Sequence, residues 1–310
     1  MTAEPLRIAV LGAGAMGSFF GARLKSGGAA VTLIDVNRQH IDAVTANGLR
    51  VDTDAGTEIA WLPAATPDAV HDQFDVLLVF TKTMHTRSAL TGAMHLIGPE
   101  TVLLSLQNGL GNKEILLGFA EASRVLIGMT SYPADMIGPG HVGSHGDGKI
   151  RFWTSDGSDA PQLGTIAAAF LAGGLDCLTD DTVQVAIWEK VAFNAALNSI
   201  AAVTHATVGQ IGRLPEARKL AHRIAGEVVI VANAAGIPAD AKAVHDLVDH
   251  ALDTHLDHKP SMLQDVLAGR RTEIDAIAGA VVRQAGVLGI PVPATEALRT
   301  LVLLATEGRA

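Results

Sequence analysis

The chain has 310 residues, 48% of them hydrophobic, which is enough to build two domains with a core in each. A formal charge of −9 and the absence of any Lys/Arg run exclude a general nucleic-acid binder, which shows a basic face. One cysteine, Cys177, rules out an internal disulfide, and no apolar run reaches the roughly 18–20 residues of a membrane helix. A soluble, cytoplasmic protein is expected. The N-terminal LRIAVLGAGAMG has the apolarity of a signal-peptide core, but its flank is weakly charged and its glycines are spaced for another purpose.

The first predicted element is RIAVLG (7–12), a short continuous apolar run of the kind buried on both faces of a parallel sheet. The following AMGSFFGARLKSGG reads as a helix closed by glycines. Their junction is Gly12-Ala13-Gly14-Ala15-Met16-Gly17, a G-x-G-x-x-G. In that pattern the first glycine permits the tight turn and the second lets backbone approach a pyrophosphate. The third allows the helix to pack closely on the strand, and the helix N-terminus attracts phosphate charge. The glycines alone are a weak signal; here they follow a strand, open a helix and lead to AVTLID, which ends in Asp35. An acid about 20 residues past the glycines is placed for the ribose hydroxyls. Dinucleotide binding is therefore expected of residues 12–17 and Asp35.

Three more apolar runs, DVLLVF (75–80), TVLLSL (101–106) and VLIGM (125–129), extend the sheet into a doubly wound α/β domain. Ligands in such sheets sit beyond the carboxyl ends of the strands. Lys82 in TKT and Gln107-Asn108 in LQNG stand there, either as ligand contacts or as a solvated lysine and an ordinary Asn-Gly turn. Turn-rich sequence with short alternating runs follows over 130–155 and predicts antiparallel strands. Cys177, in the strand-like LDCL, reads as a small core residue. The domain boundary is placed near Asp180, giving a dinucleotide-binding domain over 1–180 and a helical domain over 181–310, without a linker-like tract between them.

From Thr182 onward the pattern is helical. WEKVAFNAALNS (188–199) places Lys190, Asn194 and Asn198 four residues apart, on one stripe of an otherwise apolar helix. Something polar should lie against that stripe; otherwise Lys190 reaches solvent and the asparagines tie adjacent loops. LAHRIAGEVVIVANAAGI and EIDAIAGAVVRQAGVLG have helical spacing too, each with a Pro after it. His245, His250, His255 and His258 lie among aspartates, but their spacing is not H-E-x-x-H and suits a wet helix face; no metal is expected. In KPSMLQD, Ser261 and Gln264 form an S-x-x-Q capping box, which starts a helix at Ser261 whose N–H groups and dipole suit a carboxylate. Glu273, twelve residues on, reads by itself as a solvated helix acid.

The motifs GAGAMGSFFGARL, TKT, QNGLGN, WEKVAFNAALNS, SMLQDVLAGRRTEID and GIPVP, in this order over nearly the full length, make the chain resemble the ketopantoate reductase (2-dehydropantoate 2-reductase) family. The resemblance implies an N-terminal Rossmann domain and an all-α C-terminal domain like that of 6-phosphogluconate dehydrogenase, with the active site in the cleft between them. It implies that Lys190 is the catalytic lysine, and that Asn194, Asn198 and Ser261 contact substrate. Asn108 would lie where substrate and nicotinamide meet, and Glu273 would stand beside Lys190 and the cofactor, against its reading from the sequence alone. Lys82 and Ala134 would be cofactor contacts.

Three positions depart from the family pattern. Val36 stands where the family has its arginine for the 2′-phosphate of NADPH. Asp35 before it repels that phosphate and accepts bonds from a free 2′-hydroxyl, which favours NAD(H) over the NADP(H) implied by resemblance, although Arg38 is close by. NSI replaces the usual NPL, and Val208 stands where some members bind substrate with Asn. The expected reaction is NAD(P)H-dependent reduction of ketopantoate to D-pantoate, a step of pantothenate biosynthesis. An NAD-dependent D-2-hydroxyacid dehydrogenase for another branched or aromatic 2-oxo acid is the alternative within the family. Outside it stand an NAD(P)-sensing module without turnover, which has no need of the Lys/Asn stripe, and a dehydrogenase of an acyl-CoA or sugar phosphate, which lacks an evident basic patch. The expected partner is a small 2-oxo acid, with neither nucleic acid nor membrane. Apolar helices in the second half would either pair subunits into a homodimer or pack internally.

Overall fold

A computed structural model describes residues 4–307. Its contacts divide the chain into two compact units. The first takes the chain up to Gln107 and then Asn112–Val183; the second takes Asn108–Gly111 and the chain from Gln184 on. The junction along the chain falls between Val183 and Gln184, and four residues of the first half, Asn108–Gly111, belong to the second unit.

In chain order the first unit has β1 (Arg7–Leu11), α1 (Ala15–Ser26), β2 (Ala30–Ile34), α2 (Arg38–Asn47), β3 (Leu49–Thr53), β4 (Gly56–Ala60), β5 (Ala64–Ala65), β6 (Val76–Val79), α3 (Thr83–Gly92) and β7 (Val102–Ser105). It continues with α4 (Asn112–Leu116), β8 (Val125–Thr130), β9 (Asp135–Gly138), β10 (His141–Ser144), β11 (Ile150–Thr154), α5 (Gln162–Ala172) and β12 (Cys177–Thr179). The main sheet has the order β12-β11-β8-β7-β6-β1-β2-β5. From β5 to β8 every pairing is parallel, and β11 then runs antiparallel to β8. The apolar runs take this position because both of their faces are covered: every residue of β6 and β7 is buried. Burying one such Val or Leu side chain contributes about 1.5–3 kcal/mol, so a polar residue in mid-strand would be costly.

The strand order reverses around β1. The chain leaves β1 for β2 on one side and later returns to pair β6 on the other, with Leu11 opposite both Ile34 and Val79. This switch point opens a crevice at the carboxyl ends of β1 and β6, where α/β sheets receive ligands. The turn-rich region separates into two sheets. β11 joins the main one, whereas β9 and β10 form a second sheet, β4-β3-β10-β9, in which β10 is antiparallel to β9 but parallel to β3. The hairpin of β3 and β4, closed at Gly56 with φ +126°, is part of that sheet and had no clear sequence signature.

The second unit is all-α: α6 (Val183–Thr204), α7 (Val208–Arg213), α8 (Pro215–Ala234), α9 (Ala241–Thr254), α10 (Ser261–Leu267), α11 (Ala278–Leu288) and α12 (Pro293–Thr306). Its core joins Val191, Ala195, Leu197 and Ile200 of α6 to Ile224 and Val228 of α8, Val248 of α9, Leu263 of α10 and Val281 of α11. Five buried alanines of α6, Ala192, Ala195, Ala196, Ala201 and Ala202, let neighbouring helices approach closely. Among the described residues no helix is long and apolar enough to cross a membrane.

Two expectations are corrected here. Pro260, not Ser261, is the N-cap of α10; Ser261 is the first helical residue and makes no capping bond, and Gln264 Nε2 donates to the Lys259 carbonyl instead (3.1 Å). The helix expected from Glu273 begins only at Ala278, because Ile277 has φ −97° and ψ −93°, which interrupts helical geometry. Glu273 therefore lies in the turn before α11, half-buried, and not on a wet helix face.

Candidate active site

The glycine turn of the first unit sits at the switch point. Gly12 has φ +97°, and a Cβ there would lie 2.5 Å from the Thr81 backbone nitrogen at the end of β6. At Gly17 a Cβ would come within 2.0 Å of the Gly12 carbonyl oxygen. A side chain at either place would push strand and helix apart. Gly14 differs: nothing lies within 4 Å of its Cβ position. It is the N-cap of α1 and contributes no side chain to the first-turn N–H groups. Two crowded glycines thus close the turn and one open glycine leaves backbone donors accessible, the arrangement a pyrophosphate needs. The residues fit a dinucleotide. Ala15 and Met16 complete the turn as the first residues of α1.

Asp35 follows the end of β2. Its Oδ2 accepts the Ala13 N–H (2.7 Å) and its Oδ1 accepts the Asn37 N–H (2.9 Å). Each oxygen keeps lone-pair capacity for a hydroxyl. Val36 beside it is 81% exposed. Arg38 is also exposed and has a carboxylate in its field: Thr66 and the backbone hold Asp68 below the usual carboxylate range, with a lesser contribution from Arg38.

Lys82 is the half-buried N-cap of α3, beyond the end of β6. Ala134, also half-buried, packs on the core just before β9. Gln107 is structural. Its Oε1 accepts from Ser105 Oγ (2.8 Å), and its Nε2 donates to Thr86 Oγ1 (2.7 Å) and the Thr81 carbonyl, so it ties the ends of β6 and β7 together. Cys177 is half-buried on β12, and burial pushes its thiol up to about 12, where it is not a nucleophile.

The remaining residues all belong to the second unit. On α6, Asn194 and Asn198 are 8% and 5% exposed, and Lys190 one turn earlier is half-buried. Burial lowers the Lys190 ammonium to about 8, while the Glu273 carboxylate pulls it upward. Glu273 is thereby placed in the electrostatic field of Lys190. Both residues are largely buried, yet neither amide bonds a described residue and neither is among the fully enclosed polar atoms, so both stay accessible to a ligand or to water. Along the stripe, Lys190 is thus coupled to Glu273, while the two amides have no bond to the described residues.

Asn108 joins this unit through its neighbours. Gly109 has φ +83°, and a Cβ there would lie 2.6 Å from the Ala276 carbonyl oxygen, which also accepts the Leu110 N–H (2.8 Å). The Asn-Gly turn is therefore pinned to the turn that carries Glu273. Ser261 is exposed at the start of α10. An unforeseen pair holds the segment between them: buried Asp265 accepts from Arg270 Nε (3.0 Å), closing the loop that leads to Glu273. The D-x-x-x-x-R spacing was visible but carries no signature of its own.

The histidines of 245–258 split into two groups. His245 faces His222 (4.7 Å between rings), and the rings of His250 and His255 are 5.9 Å apart, with His255 also 6.2 Å from His258. Among the described residues no group of three or more His, Cys, Asp or Glu could hold a metal ion.

Comparison with known proteins agrees with this geometry. The family described as ketopantoate reductase PanE/ApbA matches residues 8–157, and its C-terminal counterpart matches 182–305. A 2-dehydropantoate 2-reductase of Halobacterium salinarum is 34% identical over 301 residues, spanning 97% of this chain and 99% of that one. The structure of D-mandelate dehydrogenase with NADH and anilino(oxo)acetate superposes with a TM-score of 0.93 at 30% identity, covering 98% of this chain and 99% of that one. The 2-dehydropantoate 2-reductase of Geobacter metallireducens gives 0.90 at 32% identity, covering 97% and 100%.

Proposed function

The chain belongs to the ketopantoate reductase family of nicotinamide-dependent oxidoreductases, and from that premise we propose that it reduces a branched 2-oxo acid, ketopantoate first, to the D-2-hydroxy acid in the cytoplasm. The observation that carries the reading is the Lys190 ammonium, lowered to about 8 by burial and coupled to Glu273, on the same helix face as two asparagines whose accessible amides bond no described residue.

Reduction of a ketone builds negative charge on the carbonyl oxygen, which must be stabilised and then protonated. The nicotinamide, when bound, supplies the hydride. Lys190 supplies the proton: at pH 7 an amine with a pKa near 8 is still mostly protonated, and its proton is held less tightly than that of a solvated lysine. Glu273 keeps that charge from being lost to burial. Asn194 and Asn198 offer amides to the substrate's oxygens without adding charge, and Ser261 offers a hydroxyl to its carboxylate. Asn108 is assigned to the region where substrate and nicotinamide meet. A positioned general acid contributes about 10²–10⁴ in rate.

For the dinucleotide, Gly12 to Gly17, Asp35, Lys82 and Ala134 are the assigned contacts. The Asp35 carboxylate and the apolar Val36 favour NADH, since a 2′-phosphate would meet negative charge and Arg38 already has Asp68 in its field. A second reading keeps the chemistry and changes the substrate: an NAD-dependent D-2-hydroxyacid dehydrogenase for an aromatic or branched 2-oxo acid. The similarity to a D-mandelate dehydrogenase with NADH supports it. A homodimer is proposed as well, on the likeness to a dimeric ketopantoate reductase of Staphylococcus aureus. Dinucleotide oxidation measured with NADH and NADPH against ketopantoate, 2-oxoisovalerate and benzoylformate separates the readings. Turnover of none of the three with either dinucleotide would refute both.

A further inference from the structure

Two polar side chains of the first unit are fully enclosed and unused by the reading above: Ser18 on α1 (0% exposed) and His40 on α2 (1%). Ser18 Oγ lies 2.9 Å from the Ala13 carbonyl oxygen and 3.0 Å from His40 Nε2. His40 Nδ1 lies 3.1 Å from the backbone nitrogen of Gly140, in the turn between β9 and β10. A backbone amide only donates, so Nδ1 is the unprotonated ring nitrogen. A carbonyl only accepts, so the Ser18 proton is committed to Ala13 and the serine oxygen accepts from Nε2. The three bonds therefore run one way, from Gly140 N–H to Nδ1, from Nε2–H to Ser18 Oγ, and from Ser18 O–H to the Ala13 carbonyl. They require a neutral ring, the state that burial also favours, with Asp35 pulling in the other direction.

The chain of bonds ends inside the glycine turn. Ala13 is held at its N–H by Asp35 (2.7 Å) and at its carbonyl by Ser18. In a trans peptide the carbonyl and the following N–H point to opposite sides, and there is no cis peptide bond among the described residues. Anchoring the Ala13 carbonyl to Ser18 therefore turns the Gly14 N–H away from Ser18. Gly14 is the glycine of the motif whose surroundings are open.

We propose that Ser18 and His40 are positioning residues for the dinucleotide: they set the Ala13–Gly14 peptide so that the Gly14 N–H faces the pyrophosphate, and they make the β9–β10 turn a support of that peptide. This rests on the assignment of the glycine turn to the dinucleotide. Neither side chain touches the ligand in this scheme; each acts through the backbone.

The test is a fluorescence titration of NADH binding with Ser18→Ala and His40→Asn, alongside thermal melting. Ser18→Ala leaves the Ala13 carbonyl and Nε2 without a partner. It raises the NADH Kd about tenfold, the equivalent of one buried hydrogen bond. At saturating NADH, kcat and the KM for the 2-oxo acid stay within about twofold of wild type, since the substrate's own contacts are untouched. Asparagine at 40 keeps an acceptor for Gly140 but is too short for Ser18, and raises the Kd in the same sense; it carries the prediction should Ser18→Ala fail to fold. Variants that melt earlier yet bind NADH with unchanged Kd would show a merely structural role and overturn the proposal. Wild-type protein that binds no dinucleotide would instead overturn the assignment of the glycine turn, and the proposal with it.

Discussion

The glycine turn and the polar stripe of α6 do their work in different ways. The turn is one contiguous run of six residues, and its properties are those of backbone sterics: Gly12 and Gly17 are crowded, Gly14 is open. The stripe is three side chains on a helix, and the charge of its lysine depends on a partner 83 residues away, Glu273. A local motif can be recognised without its fold; an electrostatic site is assembled by it. Substitutions should therefore separate cleanly, those in the turn acting on cofactor affinity or stability and those around α6 acting on turnover and its pH dependence.

The largest effect is expected at Lys190. Lys190→Ala should lower kcat at least about 10²-fold while the NADH Kd, read by fluorescence, stays near wild type. Undiminished turnover would remove Lys190 as the acid. Within the turn, Gly17→Ala would force a Cβ to 2.0 Å from a carbonyl oxygen and should cost more than about 2 kcal/mol of stability in denaturant melts. Gly14→Ala should leave stability within about 1 kcal/mol and weaken NADH binding instead. Equal losses of stability at both positions would contradict the division into crowded and open glycines.

Asp35→Ala should move the ratio of kcat/KM values toward NADPH by roughly tenfold, the scale of one charged hydrogen bond. Affinity for both dinucleotides should also fall, because the Ala13 N–H loses its acceptor. A ratio that does not move would show that Asp35 serves the turn and does not read the ribose. The smallest effect concerns pH. The acid must be protonated to act, so the reduction rate should fall as pH rises through about 8. Glu273 raises that value, so Glu273→Gln should move the alkaline limb to lower pH. A profile whose limb is untouched by this substitution would break the Lys190–Glu273 pairing.

Much of the architecture was legible because its signals are local. Each buried strand of the parallel sheet is a short apolar run between turn residues, and each run took its place. The second sheet was not legible. Its strands come from 49–60 and 135–144, and the parallel pairing of β10 with β3 joins segments about 90 residues apart, a choice no short window contains. Ser261 misled because S-x-x-Q is a local pattern that competes with Pro260, whose ring fixes φ near −57° and takes the capping position. Gln107 resembled a ligand contact because strand ends favour polar side chains both for ligands and for bracing neighbouring strands. Only the positions of Thr81 and Thr86 decide between the two.

Sequence by itself determined the glycine turn, the acid after the second strand, the i, i+4 stripe of Lys190, Asn194 and Asn198, and the change from α/β to all-α pattern. Spacing of 3.6 or 2 residues and the absence of a Cβ are properties of neighbouring residues. Glu273 read as a surface acid from its own neighbours and was set beside Lys190 only by the family resemblance; the tertiary structure supplied the physical coupling between them, and it alone decided that residues 108–111 belong with the helical unit and that Ser18 and His40 close a chain of bonds onto Ala13. The physical reason is the same in each case. Desolvation, Coulombic coupling and hydrogen-bond direction depend on distances through space, and those distances exist only once the helices and sheets have packed.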